Sequence, residues 1–281
     1  MYNILEIIFL KKFPMSRPSF MIFAQNYLFA LLSNYGNVFL NEPIPRDPKL
    51  RVYKHPSRFG WERTYIETLF TNNPRILVSP EVVAEAKLVD VLFEPDINQS
   101  RTSLGLLGEF TATPCIIQPL RWTPDAWEIR TCISHFLAWT SESSGGIIPV
   151  NETLKNTDQE ELEEEDNKSQ LIIVPSIFPG HFQGFGIQPS HIPGVYNLPP
   201  IFCTTIVVTS ELPIDVSTLW LRILGRGKTQ RQVIIELFNS DIDDPLYTLA
   251  RQQLQQWYQF LLQGDMGKES QLLMQTLASL I

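Results

Sequence analysis

The run AKLVDVLFEP (86–95) decides how this chain is read. Leu88, Val89, Val91, Leu92 and Phe93 form an apolar stretch with Asp90 in its middle. A run of that length and composition predicts a strand. A carboxylate inside such a strand costs free energy unless it ligates a cation or accepts hydrogen bonds. Asp90 is therefore either a structural acid, tied to neighbouring backbone or to an arginine, or a working one. Downstream, TPCIIQ (113–118) predicts a second strand that ends on the polar side chain of Gln118.

Outward from these strands the chain alternates. Residues 19–35 place Phe20, Phe23, Tyr27, Leu28, Leu31 and Leu32 at helical spacing, with Ser19 as cap and Gly36 as stop. A short strand is expected over Asn37–Leu40. Pro43, Pro45, Pro48 and Pro56 mark 41–60 as an irregular exposed insertion, followed by a brief helix near Glu62–Phe70 and a strand over Ile76–Ser79. LGLL (104–107) leads into the 114–118 run. Glu128–Trp139 has helical spacing, and Leu171–Val174 and Cys203–Thr209 are buried-strand candidates. The Gly-, Pro- and aromatic-rich stretch between those two reads as loop. Four helical segments close the chain, at 217–224, 229–238, 245–262 and 268–280. The pattern predicts an α/β or α+β core over 19–210 and a helical C-terminal subdomain over 211–281. Residues 1–18 form an N-terminal extension with the short apolar run MYNILEIIFLKKFP, whose lysines follow the apolar part, contrary to a secretory signal. Met1 and Met15 both stand as possible starts.

Charge is unevenly spread. The 281 residues carry a net −8, yet residues 151–169 hold eight acids against two lysines and account for −6 of it. The other 262 residues are close to neutral at −2. A self-repelling acidic run with nothing to bury predicts a disordered loop inside the core. Hydrophobic residues at 44% exclude wholesale disorder, and no apolar run is long enough for a transmembrane helix. Three widely spaced cysteines argue against a disulfide scaffold and point to a cytoplasmic protein.

Several chemistries lack their residues. His55, His135, His181 and His191 show no HExxH pairing, and no cysteine lies at zinc-ligand spacing. GxSxG and GxGxxG are absent. Gly225-Arg226-Gly227-Lys228 lacks the first half of a phosphate loop and sits between helices, where a turn is expected. Arg222, Arg226, Lys228 and Arg231 remain the candidate phosphate contacts, with a solvated helix face as the alternative. The six tryptophans are scattered and need only core and groove-lining roles.

VDVLFEP (89–95), LGLLGEFTATPCIIQP (104–119), TLWLRILGRGKTQRQVIIELF (218–238) and DDPL (243–246) together give a resemblance over about 19–263. The chain resembles a group of bacterial, mostly cyanobacterial, proteins related to the Rpn-like, transposase-associated part of the PD-(D/E)XK nuclease superfamily. That resemblance implies a restriction-endonuclease-like mixed sheet flanked by helices. In such enzymes acids on neighbouring strands hold Mg²⁺, and a Lys or Gln positions the attacking water. Carried over, Asp90 is the metal-binding and catalytic acid and Gln118 its catalytic partner. The second strand departs from the expected Glu-x-Lys or Glu-x-Gln. With Gln118 in the last position Ile116 replaces the acid; with Gln118 in the first, Leu120 replaces the lysine and Arg121 points to the other face. Glu94 and Glu109 are candidate substitute acids, and Gln25, Asn26, Glu62 and Glu67 the candidates for a helical one. Three functions follow as expectations: a protein with a degenerate catalytic site that binds DNA, or a protein partner through its C-terminal helices; a Mg²⁺-dependent DNA endonuclease; or a structural interaction module. No membrane partner is expected.

Overall fold

Phe20, Phe23, Ala24, Tyr27, Leu28, Leu31 and Leu32 recur every three or four residues, and all are buried along one side of helix α1 (Ser19–Leu32). The computed structural model that contains this helix describes residues 19–44, 52–53, 82–83, 87–143, 169–177, 185–240, 242–262, 275–276 and 278. Strand β1 (Gly36–Ile44) follows α1, then the short pair β2 (Val52–Tyr53) and β3 (Val82–Val83), and then β4 (Lys87–Pro95). Gly36, expected only to stop the helix, opens β1 instead. A Cβ there would lie 2.2 Å from the Glu94 carbonyl oxygen, so the close approach of β1 to β4 requires glycine. β1 also continues through Pro43, where an irregular insertion was expected; as the outer strand it can do without one N–H.

Helix α2 (Leu106–Phe110) replaces the apolar lead-in expected at 104–107, and β5 (Cys115–Leu120) comes next. Helix α3 (Ala126–Ser143) starts on a reciprocal capping box: Glu128 N–H donates to Asp125 Oδ1 and Asp125 N–H to Glu128 Oε2, both at 2.8 Å. β6 (Gln170–Pro175), β7 (Gln188–Pro189), β8 (Val195–Asn197) and β9 (Thr204–Val207) complete the strands, followed by helices α4 (Leu219–Arg222), α5 (Lys228–Asn239) and α6 (Pro245–Leu262). β7 and β8 lie in the stretch read as loop. The expected strand 76–79, the helix near 62–70, residues 1–18, the acidic run up to 168 and most of 268–280 lie outside the described residues.

The described strands form a seven-stranded mixed sheet of order β1-β4-β5-β6-β9-β8-β7, so the chain is α/β with helices on both faces. β5, β6 and β9 are parallel; the remaining pairs are antiparallel. On one face Ile129, Cys132, Ile133, Phe136 and Trp139 of α3 cover Leu92, Ile116, Leu171, Ile173 and Ile206. On the other, α1 joins α4, α5 and α6 in a single cluster over Val91, Phe93, Cys115, Ile117, Ile172, Val174 and Val207. The helices after residue 211 thus share a core with α1. Trp257 of α6 stacks on Phe23 of α1 with ring centroids 4.1 Å apart and planes at 12°. Among the described residues no helix is long and apolar enough to cross a membrane.

Candidate functional site

Asp90 lies where the backbone ladders on both sides of β4 are interrupted. Toward β5 the ladder pairs Phe93 with Cys115, Leu92 with Ile116 and Val91 with Ile117, then stops; Asp90 and Gln118 would be next. Pro119, which has no N–H to offer, follows immediately, and β5 runs on against β6 alone as far as Leu120–Pro175. Toward β1 the ladder pairs Leu40 with Val91 and Glu42 with Val89 but omits Asn41, which would face Asp90. Asn41 has φ 53°, a left-handed conformation that asparagine tolerates better than most residues. The side-chain alternation of β4 slips at the same level: Val91 and Phe93 face α1, whereas Val89 joins Leu92 on the α3 face.

Side chains take over where the backbones part. Gln118 Nε2 donates to Asp90 Oδ2. Gln25 Nε2, from α1, donates to Asp90 Oδ1 and to Asn41 Oδ1, each at 3.0 Å, and Asn41 Nδ2 donates back to Gln25 Oε1 at 3.4 Å. Asp90 is only 8% exposed and Gln25 5%. Hydrogen bonds to a charged group contribute about 1.5–3 kcal/mol each, enough to hold a carboxylate inside a sheet. The charge is felt on the α3 face as well: burial first, then the charges of Asp90 and Glu128, pushes the Cys132 thiol up to about 12. Burial likewise raises the Cys115 thiol, so neither thiol is a nucleophile near neutral pH.

Asp90 and Gln118 therefore converge, and Gln25 joins them from the helix. Asn26 is exposed and stands apart. Glu94 lies four residues along β4, about 13 Å away at the rise of a strand, opposite Asn37. Glu109 is exposed in α2, and Glu62 and Glu67 lie outside the described residues. A catalytic Mg²⁺ asks for carboxylates or phosphates in near-octahedral array. Among the described residues no three His, Cys, Asp or Glu side chains come together, and both Asp90 oxygens accept from amides. Arg121 is occupied with the helices. Its guanidinium carbon lies 4.7 Å from the Phe20 ring centroid and 5.6 Å from that of Trp257, and Nη1 donates to Gln230 Oε1 at 3.2 Å.

The four basic residues divide. Arg222, 1% exposed, donates from Nε to Thr218 Oγ1 at 3.0 Å and from Nη2 to the Asp215 carbonyl at 3.0 Å. Its fork closes on Glu236, with Nη2 to Oε2 at 2.9 Å and Nη1 to Oε1 at 3.3 Å. It cannot offer its charge to a phosphate in solvent. Arg226, Lys228 and Arg231 are exposed around the start of α5.

Asn41 is the member of the Asp90 cluster that the sequence reading missed. The signal for it was an asparagine, poorly suited to strands, directly after the apolar run Val38–Leu40. Compared with family models, with curated proteins and with solved structures, the chain matches none.

Proposed function

We propose that this chain is a restriction-endonuclease-like protein, similar to the Rpn-like branch of the PD-(D/E)XK superfamily, whose catalytic site is degenerate and whose role is binding. One observation carries the reading: the strand acid at the expected place, Asp90, is bonded by Gln118 from the adjacent strand and Gln25 from the helix, with no group of acids around it among the described residues. The polar pair expected of such a site comes together, but among the described residues no set of acids joins it. The test is nicking of supercoiled plasmid in Mg²⁺ or Mn²⁺ by the wild type and by Asp90→Ala. The expected result is no nicking that depends on Asp90.

The convergence of Asp90 and Gln118 also favours a second reading, a Mg²⁺-dependent DNA endonuclease in which Gln118 orients the water. Wild-type nicking that is lost in Asp90→Ala would establish that reading in place of the first.

A further inference from the structure

Past the ends of the parallel strands lies a polar row that the Asp90 cluster does not use. Ser176 N–H donates to the Leu120 carbonyl at 3.0 Å and Thr209 N–H to the Pro175 carbonyl at 3.1 Å, so the β5–β6 and β6–β9 registers both continue beyond the strands. That continuation sets Arg121, Ser176 and Thr209 side by side at the carboxyl ends of β5, β6 and β9. Alternation along β6 and β9 turns Ile172, Val174 and Val207 toward α1, α4, α5 and α6, and Ser176 and Thr209 fall on the same face. Arg121 joins them there, against Phe20 and Trp257.

The start of α5 closes over this row. A Cβ on Gly225 would lie 3.0 Å from Thr209 Oγ1 and 3.1 Å from Cγ2 of Thr229, the second residue of the helix. Gln230 spans the other end: its Oε1 accepts from Arg121 Nη1 at 3.2 Å, and its Nε2 donates to the Ile223 carbonyl at 3.0 Å. Ser176, between Arg121 and Thr209, therefore faces the first turn of α5. It is 1% exposed, Gln230 1% and Thr209 0%. Thr209 Oγ1 makes a long bond of 3.4 Å to the Pro175 carbonyl. Ser176 Oγ has no hydrogen-bond partner among the described residues. A buried hydroxyl in that state calls for an occupant that the chain does not supply.

The surroundings define the occupant's charge. The first N–H groups of an α-helix have no intrahelical acceptor, and the N-cap of α5, Gly227, provides no side-chain cap, so this end carries open donors and partial positive charge. Arg121 adds a full positive charge at the end of the row, and the two hydroxyls add further donors. Helix N-termini at the carboxyl ends of parallel strands favour anions. We infer that Ser176, Thr209 and the first turn of α5 bind a single phosphate-type oxyanion, free or as the terminal group of a small phosphomonoester. Enclosure suits a terminal group and not a phosphodiester, which must enter and leave as a chain. The inference is independent of the Asp90 site and of the role proposed for it.

The experiment is isothermal titration calorimetry of the full chain with inorganic phosphate and with glycerol phosphate at constant ionic strength. Saturable binding at one site is expected. Ser176→Ala removes only the unpartnered hydroxyl, so its melting temperature is no lower than that of the wild type. Its phosphate affinity nevertheless falls about tenfold or more, the equivalent of one hydrogen bond to a charged group. Thr209→Val keeps the side-chain shape and gives the same reading should Ser176→Ala fail to fold. Arg231→Gln, on the exposed side of α5, leaves the affinity unchanged. Tighter binding of glycerol phosphate identifies a small phosphorylated molecule as the occupant, and tighter binding of phosphate identifies the free ion; either result sustains the inference. Absence of saturable binding by both probes would overturn it. So would wild-type affinity in whichever of the two hydroxyl variants folds, or an equal loss in Arg231→Gln, which would assign the binding to surface cations.

Discussion

Among the described residues Asp90 is the buried carboxylate and Arg222 the buried guanidinium, and the fold surrounds them in different ways. Asp90 accepts from neutral amides, Gln25 and Gln118, at a place where the strands on either side have parted. Arg222 faces a carboxylate in a two-toothed contact and completes its shell with the Thr218 hydroxyl and the Asp215 carbonyl. The arginine is thus a closed electrostatic unit whose field is spent on Glu236. The amides of Gln25 and Gln118 orient toward Asp90, and its charge reaches Cys132 across the sheet. A cation site needs the second kind of environment with more acids added, and a structural brace needs the first.

The largest expected effect is on the brace. Arg222→Ala strands Glu236, which is 34% exposed and can turn partly to water, so the cost lies near the lower end for breaking a buried pair, about 3 kcal/mol. Urea denaturation measures it; a loss below 1 kcal/mol would mean that the pair is ornamental. Next comes Asp90→Ala, which removes the acceptor of the Gln118 amide and leaves Gln25 with Asn41 Oδ1 alone, and costs about 2 kcal/mol. If it were neutral or stabilising, the amide shell would not be satisfying the acid, and the contrast between the two sites would fail. The smallest effect belongs to Asp215, whose Oδ1 caps the turn that feeds α4 by accepting from Ser217 N–H at 2.8 Å and Thr218 N–H at 3.3 Å. Asp215→Ala costs about 1 kcal/mol. The side-chain hydrogen bond from Ser217 is the largest influence; burial opposes it, and the backbone bonds from Ser217 and Thr218 and the charge of Arg222 add to it, so the Asp215 carboxyl lies below its ordinary 3.8. Its folded pKa is depressed, so its stabilisation is complete above about 3.8 and fades as pH falls through the lower folded value. The difference between wild type and Asp215→Ala should narrow in melts below pH 3.8. A difference that stays constant down to pH 2 would contradict that capping role.

What could be read from the sequence follows from how local each determinant is. The helical spacing of α1 and α6, the apolar runs of β4, β5 and β6 and the spacing of α3 all lie within contiguous windows, and each is found where expected. Asp90 and Gln118 were legible as a pair because each is a polar residue in an apolar strand. Strands of two and three residues such as β7 and β8 exist only through their partners and leave no periodic trace. Arg222 was placed with the exposed cations because of its spacing from Arg226. The better signal was its setting, TLWLRIL, which is apolar on both sides and predicts a buried guanidinium in need of an acid. That acid is fourteen residues away, at a distance that no local pattern spans.

β1 is the outermost strand of the described sheet, the position at which a flat strand offers its free N–H and C=O groups to another chain. Asn41 turns the backbone out of the extended conformation in the second half of that strand, and Pro43 removes a donor two residues later. The residue that completes the amide shell around Asp90 is therefore also one that denies a foreign strand an unbroken edge on which to nucleate.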